Sequence, residues 1–316
     1  MSFTAEVKQE VSLHRLEKEE SRAELSALVK MLSSLSISSG RGMTLLIRTE
    51  NAPVSRAAVR LLRELYQVEI EPFVQRRMNL HKNLIYGLRV YGDITAILRD
   101  LGLYSPRGLL EKPLQRIVSR DTWARAYLAG AFMAEGSVNS PRTSSYHLEI
   151  KSGDQAHSAF LVSLMERFYI PARTIDRRGH AVVYVKQAEK IGDFLRCIGA
   201  DQCLMQFEGT RITRDLANNV QRLNNVDVAN EMKTMKAADE QLADIAALEQ
   251  AGLIAKLDPK LQEVIALRRQ APDDSLVELA EEYRKKTGLT VSKSGLKHRF
   301  VKIHELAMKA EGKSNE

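Results

Sequence analysis

Cysteine is nearly missing from this chain: Cys197 and Cys203 are the only two in 316 residues. A secreted chain of this size usually carries several, so the scarcity argues against a disulfide-stapled scaffold and for a reducing cytoplasm. No run approaches the roughly 18 consecutive apolar residues that a membrane span needs. Residues 1–10 are polar and charged, with no apolar core of the kind that opens a secretory signal. Catalytic signatures are missing too. There is no Walker loop, no Rossmann fingerprint and no nucleophile elbow. The histidines at 14, 81, 147, 157, 180, 298 and 304 are scattered, and none forms a close metal pair with a cysteine or carboxylate. The two cysteines read as small buried hydrophobes, and the one tryptophan, Trp123, as core. No metal and no cofactor are expected.

What is present is ordinary globular material, 44% hydrophobic and 28% charged. Lys and Arg outnumber Asp and Glu by 47 to 40, a net +7. So mild an excess permits an acidic partner such as DNA without demanding one. The length predicts two domains.

The first two hundred residues contain an internal repeat. LLIRTENAPVSRAAVRLLRELY, ending at Tyr66, answers HLEIKSGDQAHSAFLVSLMERFY, ending at Tyr169, an offset of 103 that also takes Leu25 to Leu128, Arg48 to Lys151 and Val59 to Val162. Ile97–Leu103 answers Phe194–Ala200 at an offset of 97, so the second copy has a shorter loop near Arg177, Gly179 and His180. Each copy is predicted to run helix, strand, helix, strand, strand, helix. The opening helices fall at about Arg22–Leu32 and Asp121–Glu135, and the second helices at Val54–Tyr66 and Gln155–Phe168. Two such halves bury their sheets by packing about a pseudo-twofold axis. Small residues on the opening helices, Ser26 and Ala27 in one and Ala129, Gly130 and Ala134 in the other, suit a close helix crossing there.

YLAGAFMAEGSV, Tyr127 to Val138, resembles the LAGLIDADG motif of homing endonucleases: Leu128-Ala129-Gly130 matches its opening and Glu135-Gly136 its final acidic residue and glycine. The whole chain is similar to the bacterial WhiA family, through ELSALVKMLSSLS near the start, YLAGAFMAEGSV and SSYHLEI in the middle, RDLANNVQRLNNVDVANEMK in the linker and SLVELAEEY with VSKSGLKHRFVKI at the end. The resemblance implies an α+β protein: a duplicated, pseudo-twofold LAGLIDADG-like α/β domain, a helical linker and an all-α helix-turn-helix domain. The expected boundaries are 1–20 for an N-terminal segment, 21–215 for the duplicated domain (copies about 21–110 and 120–205), 216–256 for the linker and 257–316 for the reader. It also implies a cytoplasmic, nucleoid-associated protein of double-stranded DNA, serving cell division, chromosome segregation or sporulation, with transcription control as the expected output and another regulatory protein as a possible partner. An active LAGLIDADG endonuclease and a protein-binding scaffold are the alternatives.

Metal-dependent cleavage in that fold needs a carboxylate from the foot of each axial helix. The second copy offers Glu135, but the first has Leu32 at the paired position, so the site is expected to be vestigial and Glu135 a solvated helix-end carboxylate. On the sheets, Arg76-Arg77 and Arg177-Arg178 sit at matching loops of the repeat, and Arg48, Lys82, Arg89, Lys151, Arg173 and Lys186 fall nearby. Two readings stay open for them: contacts to a nucleic-acid backbone, or ordinary outward charges of a half-exposed sheet.

The linker carries Met232, Met235, Leu242, Ile245 and Leu248 at helical spacing, with Gly252 as a stop. Before it, Arg211, Arg214, Asn218, Asn219, Arg222, Asn224 and Asn225 cluster. They read as a polar hinge, or else as backbone contacts.

The reader is predicted over about Ser275–Lys309. Ser275 and Glu278 form a capping box, Gly288 stops the helix they open, and Ser292 caps the next. Leu296, Phe300, Ile303 and Ala307 mark that helix's buried face; Lys293, Ser294, Lys297, His298, Arg299 and Lys302 mark the face expected to meet DNA. The turn of Gly288 to Val291 is longer than the tightest helix-turn-helix, as in sigma-factor-like readers.

Overall fold

The computed structural model describes residues 2–38, 42–76, 84–143, 145–177 and 179–313. The chain divides into two compact units, Met1–Arg214 and Asp215–Glu316.

In the first unit, α1 (Phe3–Val11) precedes the repeat. Copy one runs α2 (Lys18–Leu32), β1 (Ser33–Ser38), β2 (Gly42–Thr49), α3 (Ala52–Leu65), β3 (Glu69–Arg76), β4 (Leu84–Tyr91) and α4 (Ile94–Asp100). A small hairpin of β5 (Tyr104–Ser105) and β6 (Gly108–Leu109) follows. Copy two runs α5 (Asp121–Glu135), β7 (Gly136–Val138), β8 (Leu148–Ser152), α6 (Gln155–Arg167), β9 (Arg173–Arg177), β10 (His180–Val185) and α7 (Ala188–Cys197). Each copy builds an antiparallel four-stranded sheet of the same order, β1-β2-β4-β3 and β7-β8-β10-β9. The repeat seen in sequence is therefore a repeat in topology. Each copy holds one strand more than expected, because β1 and β7 follow directly on the opening helices.

The two sheets share one apolar core, which also takes in Phe3, Val7 and Val11 of α1. The first twenty residues are thus part of the duplicated domain's core rather than a separate segment. The axial helices α2 and α5 make the closest helix pair of the unit. Gly130 permits it: a β-carbon there would stand 2.4 Å from the Glu24 carbonyl oxygen and 3.0 Å from the Ala27 Cβ. Ser26 plays a different part from the one its size implied. Its hydroxyl donates to the Leu101 carbonyl at 2.8 Å, tying α2 to the end of α4. Trp123 is half-buried under the guanidinium of Arg120, 5.2 Å from its ring.

The chain passes to the second unit within α8 (Asp201–Gln250), one uninterrupted helix of 50 residues. Its start packs through Cys203, Leu204 and Phe207 into the first core, and the Glu10 carboxylate accepts from the backbone N–H groups of Gln202 and Cys203 at 2.7 and 2.9 Å. The hinge expected at the asparagines is absent; residues 218–225 are helical. Its end packs Ile245 and Leu248 against α9 (Pro259–Gln270), α10 (Leu276–Thr287) and α11 (Lys293–Lys313). Met232 and Met235, expected on the same apolar stripe, are exposed. Among the described residues no helix is long and apolar enough to cross a membrane.

Candidate nucleic-acid interface

The second unit's surface is set by its caps. Ser275 Oγ accepts from the Glu278 N–H at 3.3 Å while Glu278 Oε2 accepts from the Ser275 N–H at 2.7 Å, so the capping box opens α10. That hydrogen bonding holds the Glu278 carboxyl below its usual range. Gly288, at φ 70°, ends the helix in the left-handed conformation that glycine adopts without penalty. Ser292 Oγ then accepts from the Gly295 N–H at 3.1 Å and starts α11.

Leu296, Phe300, Ile303 and Ala307 are buried against α9 and α10. Around the other side Ser292, Lys293, Ser294, Lys297, His298 and Lys302 are all exposed, and among the described residues none of the three lysines has an acidic partner. Arg299 departs from expectation. It is half-buried, its guanidinium lies 5.1 Å from the Tyr283 ring, and one of its nitrogens is enclosed without an acceptor among the described residues. It holds α11 to α10 and is not available on the open face. The reason is positional: residue 299 stands three after Leu296 and four before Ile303, on the buried stripe's edge.

Arg268, which the sequence did not single out, is 1% exposed. Its Nε donates to Gln241 Oε1 at 3.0 Å, its terminal nitrogen donates to the carbonyls of Ala271, Pro272 and Asp274, and its guanidinium lies 5.5 Å from the Phe300 ring. One side chain thus fastens the loop between α9 and α10 to both α8 and α11.

In the first unit, Glu135 and Leu32 are the last residues of α5 and α2. Glu135 is exposed and Leu32 partly buried against the core. Glu135 borders a cleft of about 530 Å³ with Lys30, Lys151, Asp154 and His180. Lys30 Nζ donates to Asp154 Oδ2 at 3.2 Å and so occupies the nearest second carboxylate. Lys8, where burial pulls the ammonium down to about 8, adds a further cation within electrostatic reach of Glu135 and Lys151. Among the described residues no group of His, Cys, Asp and Glu could hold a metal ion. The divalent cations that a LAGLIDADG nuclease requires do not fit here, because amines stand where ligands are needed.

Behind the cleft His157 is buried. Ser152 Oγ donates to the Asp154 carbonyl and receives the ring's Nδ1–H at 3.0 Å, which leaves Nε2, 2.8 Å from the Tyr127 hydroxyl, as an acceptor. Burial, followed by the charge of Lys30, brings its pKa down to about 4, so the ring is neutral. Cys197 and Cys203 are free thiols, both pushed up to about 12 by burial.

On the sheets, Arg76 ends β3 and Arg177 ends β9, both on edge strands and both exposed. Arg77, Arg178 and Lys82 lie outside the described residues. The sheet charges are mixed: Arg89 pairs with Glu71 at 3.0 Å and stands 4.5 Å from the Phe73 ring, and Arg177 approaches Glu149 at 3.5 Å. Of the cluster before the linker, Arg211 pairs with Glu208 and Arg214 donates to the carbonyls of Pro141 and Thr143 while stacking on Tyr146. Both are engaged within the first unit, whereas the asparagines are exposed.

Comparison with known proteins places this architecture. Family models described as the WhiA N-terminal LAGLIDADG-like domain, the WhiA LAGLIDADG-like domain and the WhiA C-terminal HTH domain match residues 18–104, 124–217 and 220–307. The "Probable cell division protein WhiA" of Latilactobacillus sakei is 41% identical over 308 residues, 97% of each chain. That of Geobacillus thermodenitrificans is 41% identical over 309 residues, 97% of this chain and 95% of the other. Among solved structures, full-length DUF199/WhiA from Thermatoga maritima shares the fold with a TM-score of 0.61 at 22% identity, covering 98% of this chain and 99% of that one.

Proposed function

The chain belongs to the WhiA family, and from that premise we propose that it is a non-enzymatic, DNA-binding protein of bacterial cell division. Its partner is double-stranded DNA, and its output is control of transcription that bears on division and chromosome segregation. The observation that carries this reading is the exposed, acid-free start of α11. Ser292, Lys293, Ser294, Lys297, His298 and Lys302 share an open surface held out by a buried apolar stripe. Amines and hydroxyls at the first turns of a helix suit both base edges and phosphates. Arg76 and Arg177 add backbone contacts from the first unit. Relatives named as cell division proteins support the cellular setting.

The test is a titration of the full chain on genomic duplex fragments by gel shift, wild type against Lys297→Ala with Lys302→Ala. These two are chosen over Arg299 because Arg299 supports the packing. Affinity is expected to fall at least tenfold; equal affinity removes α11 from the interface. For the absence of nuclease activity, plasmid incubated with the protein and Mg²⁺ is expected to stay supercoiled. Nicking or linearisation that disappears with Glu135→Gln would overturn the non-enzymatic reading.

A further inference from the structure

Residues 215–233 of α8 are helical and exposed around the whole circumference. An exposed helix has no packing reason to sort its residues, yet residues 216–227 are sorted. Leu216, Val220, Leu223 and Val226 recur at spacings of three and four on one face, with Asp227 and Glu231 on the same side. Asn218, Gln221, Arg222 and Asn225 recur on the opposite face; Asp215 stands on it three residues before Asn218, Val228 and Met232 continue it beyond Asn225, and no acidic residue joins it between Asn218 and Lys236. Gln221 Nε2 donates to Asn225 Oδ1 at 3.1 Å, which sets the two amides side by side. Asn218 and Arg222 make no hydrogen bond or ion pair among the described residues.

The chemistry of this face is that of base recognition. A carboxamide offers a donor and an acceptor together, the complement of adenine's N6 and N7, and guanidinium offers two parallel donors, the complement of guanine's O6 and N7. A helix of roughly 10–12 Å diameter fits a major groove about 12 Å wide. Asn218 to Asn225 spans about 10 Å of helix axis, or about three base pairs. Between Asn218 and Asn225 the face carries Arg222 and no acid to repel phosphate. Asparagine favours caps and turns over helix interiors, yet four of them stand between residues 218 and 225 without a packing role.

We propose that Asn218, Gln221, Arg222 and Asn225 form a second base-reading surface, separate from α11, that enters a groove of double-stranded DNA. The proposal rests on the reading that the protein binds DNA, and the experiment separates the two. Full-length wild type, the variant N218A/R222A/N225A and the variant K297A/K302A each select duplexes from a random library. The affinity of each is then measured for the duplex that wild type prefers. Wild type is expected to enrich two blocks of sequence. The α8 variant is expected to lose one block and keep the other, with affinity down at least tenfold and with unchanged helical circular dichroism, since alanine favours the helix. Identical enriched blocks with unchanged affinity overturn the proposal. Equal weakening on every duplex also overturns it, because that marks a backbone contact rather than base reading. If wild type enriches no block, sequence-specific DNA binding fails, and the second surface fails with it.

Discussion

Glu24 is the residue most at odds with its surroundings. It lies on α2 at the axial helix crossing, is 1% exposed, and neither carboxylate oxygen has a hydrogen-bond partner among the described residues. Burial raises its pKa from 4.5 to about 8, with Arg60 opposing the shift and Glu64 adding to it. The folded state therefore holds a proton that the unfolded chain releases above about 4.5. Its contribution to stability is complete below that value and is lost as pH rises through about 8. At about 1.4 kcal/mol per unit, the loss is on the order of 5 kcal/mol. Thermal unfolding of wild type and Glu24→Gln from pH 5 to 8.5 should show the wild-type midpoint falling relative to the variant; parallel curves would mean that Glu24 finds a partner or water. His157 acts in the reverse direction. Its pKa is depressed to about 4, so the neutral ring's contribution is present above about 6.5 and is lost as pH falls through 4. Together the two groups place the stability optimum of the duplicated domain near pH 5–6.

At the scale of elements, the second unit depends on a buried cation that no motif announces. Replacing Arg268 with Ala strands the carbonyls of Ala271, Pro272 and Asp274 and frees Gln241. The expected cost is about 2–4 kcal/mol, read as a lower urea midpoint for the second unit. An unchanged midpoint would show those carbonyls reaching water. Arg268 escaped the sequence because its neighbour Arg269 looks the same and only tertiary packing decides which is enclosed. What the sequence did reveal has local physics behind it. The Ser275–Glu278 box, the Gly288 stop and the Ser292 cap are each made by groups within four residues of one another. The repeat was legible because both copies keep the same order of elements and open on axial helices of 15 residues each. The strands β1 and β7 were not: Ser33–Ser38 is mostly serine and Gly136–Val138 is three residues long, and each becomes a strand only by pairing with β2 or β8. The hinge expected at the asparagines failed for a cooperative reason. Helix costs of about 0.7 kcal/mol or less per asparagine are offset when buried turns at both ends, around Phe207 and Ile245, have already nucleated the helix.

At the scale of the whole molecule, charge is unevenly divided. From Asp215 to Glu316 there are 16 Lys and Arg against 17 Asp and Glu, so the chain's net +7 arises entirely before residue 215. The unit with the helix-turn-helix is close to neutral and sets three exposed lysines, Lys293, Lys297 and Lys302, on the open face of α11, while the duplicated unit carries the general excess. If the chain binds DNA as proposed, such a division would give sequence discrimination to the second unit and non-specific attraction to the first, since counterion release follows local cation density rather than fold. Arg76 and Arg177 are the described members of the matched sheet-end pairs, and Arg177 is only loosely held by Glu149 at 3.5 Å. If both meet phosphates, Arg76→Ala with Arg177→Ala should lower the slope of log affinity against log salt by about 2 in the full chain, at roughly 0.9 per phosphate. The preference between specific and non-specific duplexes should stay as it was, because phosphate contacts carry no sequence. A slope that does not move would take the sheet ends out of the interface and leave the positive charge of the duplicated unit without a role in binding DNA. A preference that collapses would place base reading on the sheets, as in an endonuclease saddle, rather than on the helices of the second unit.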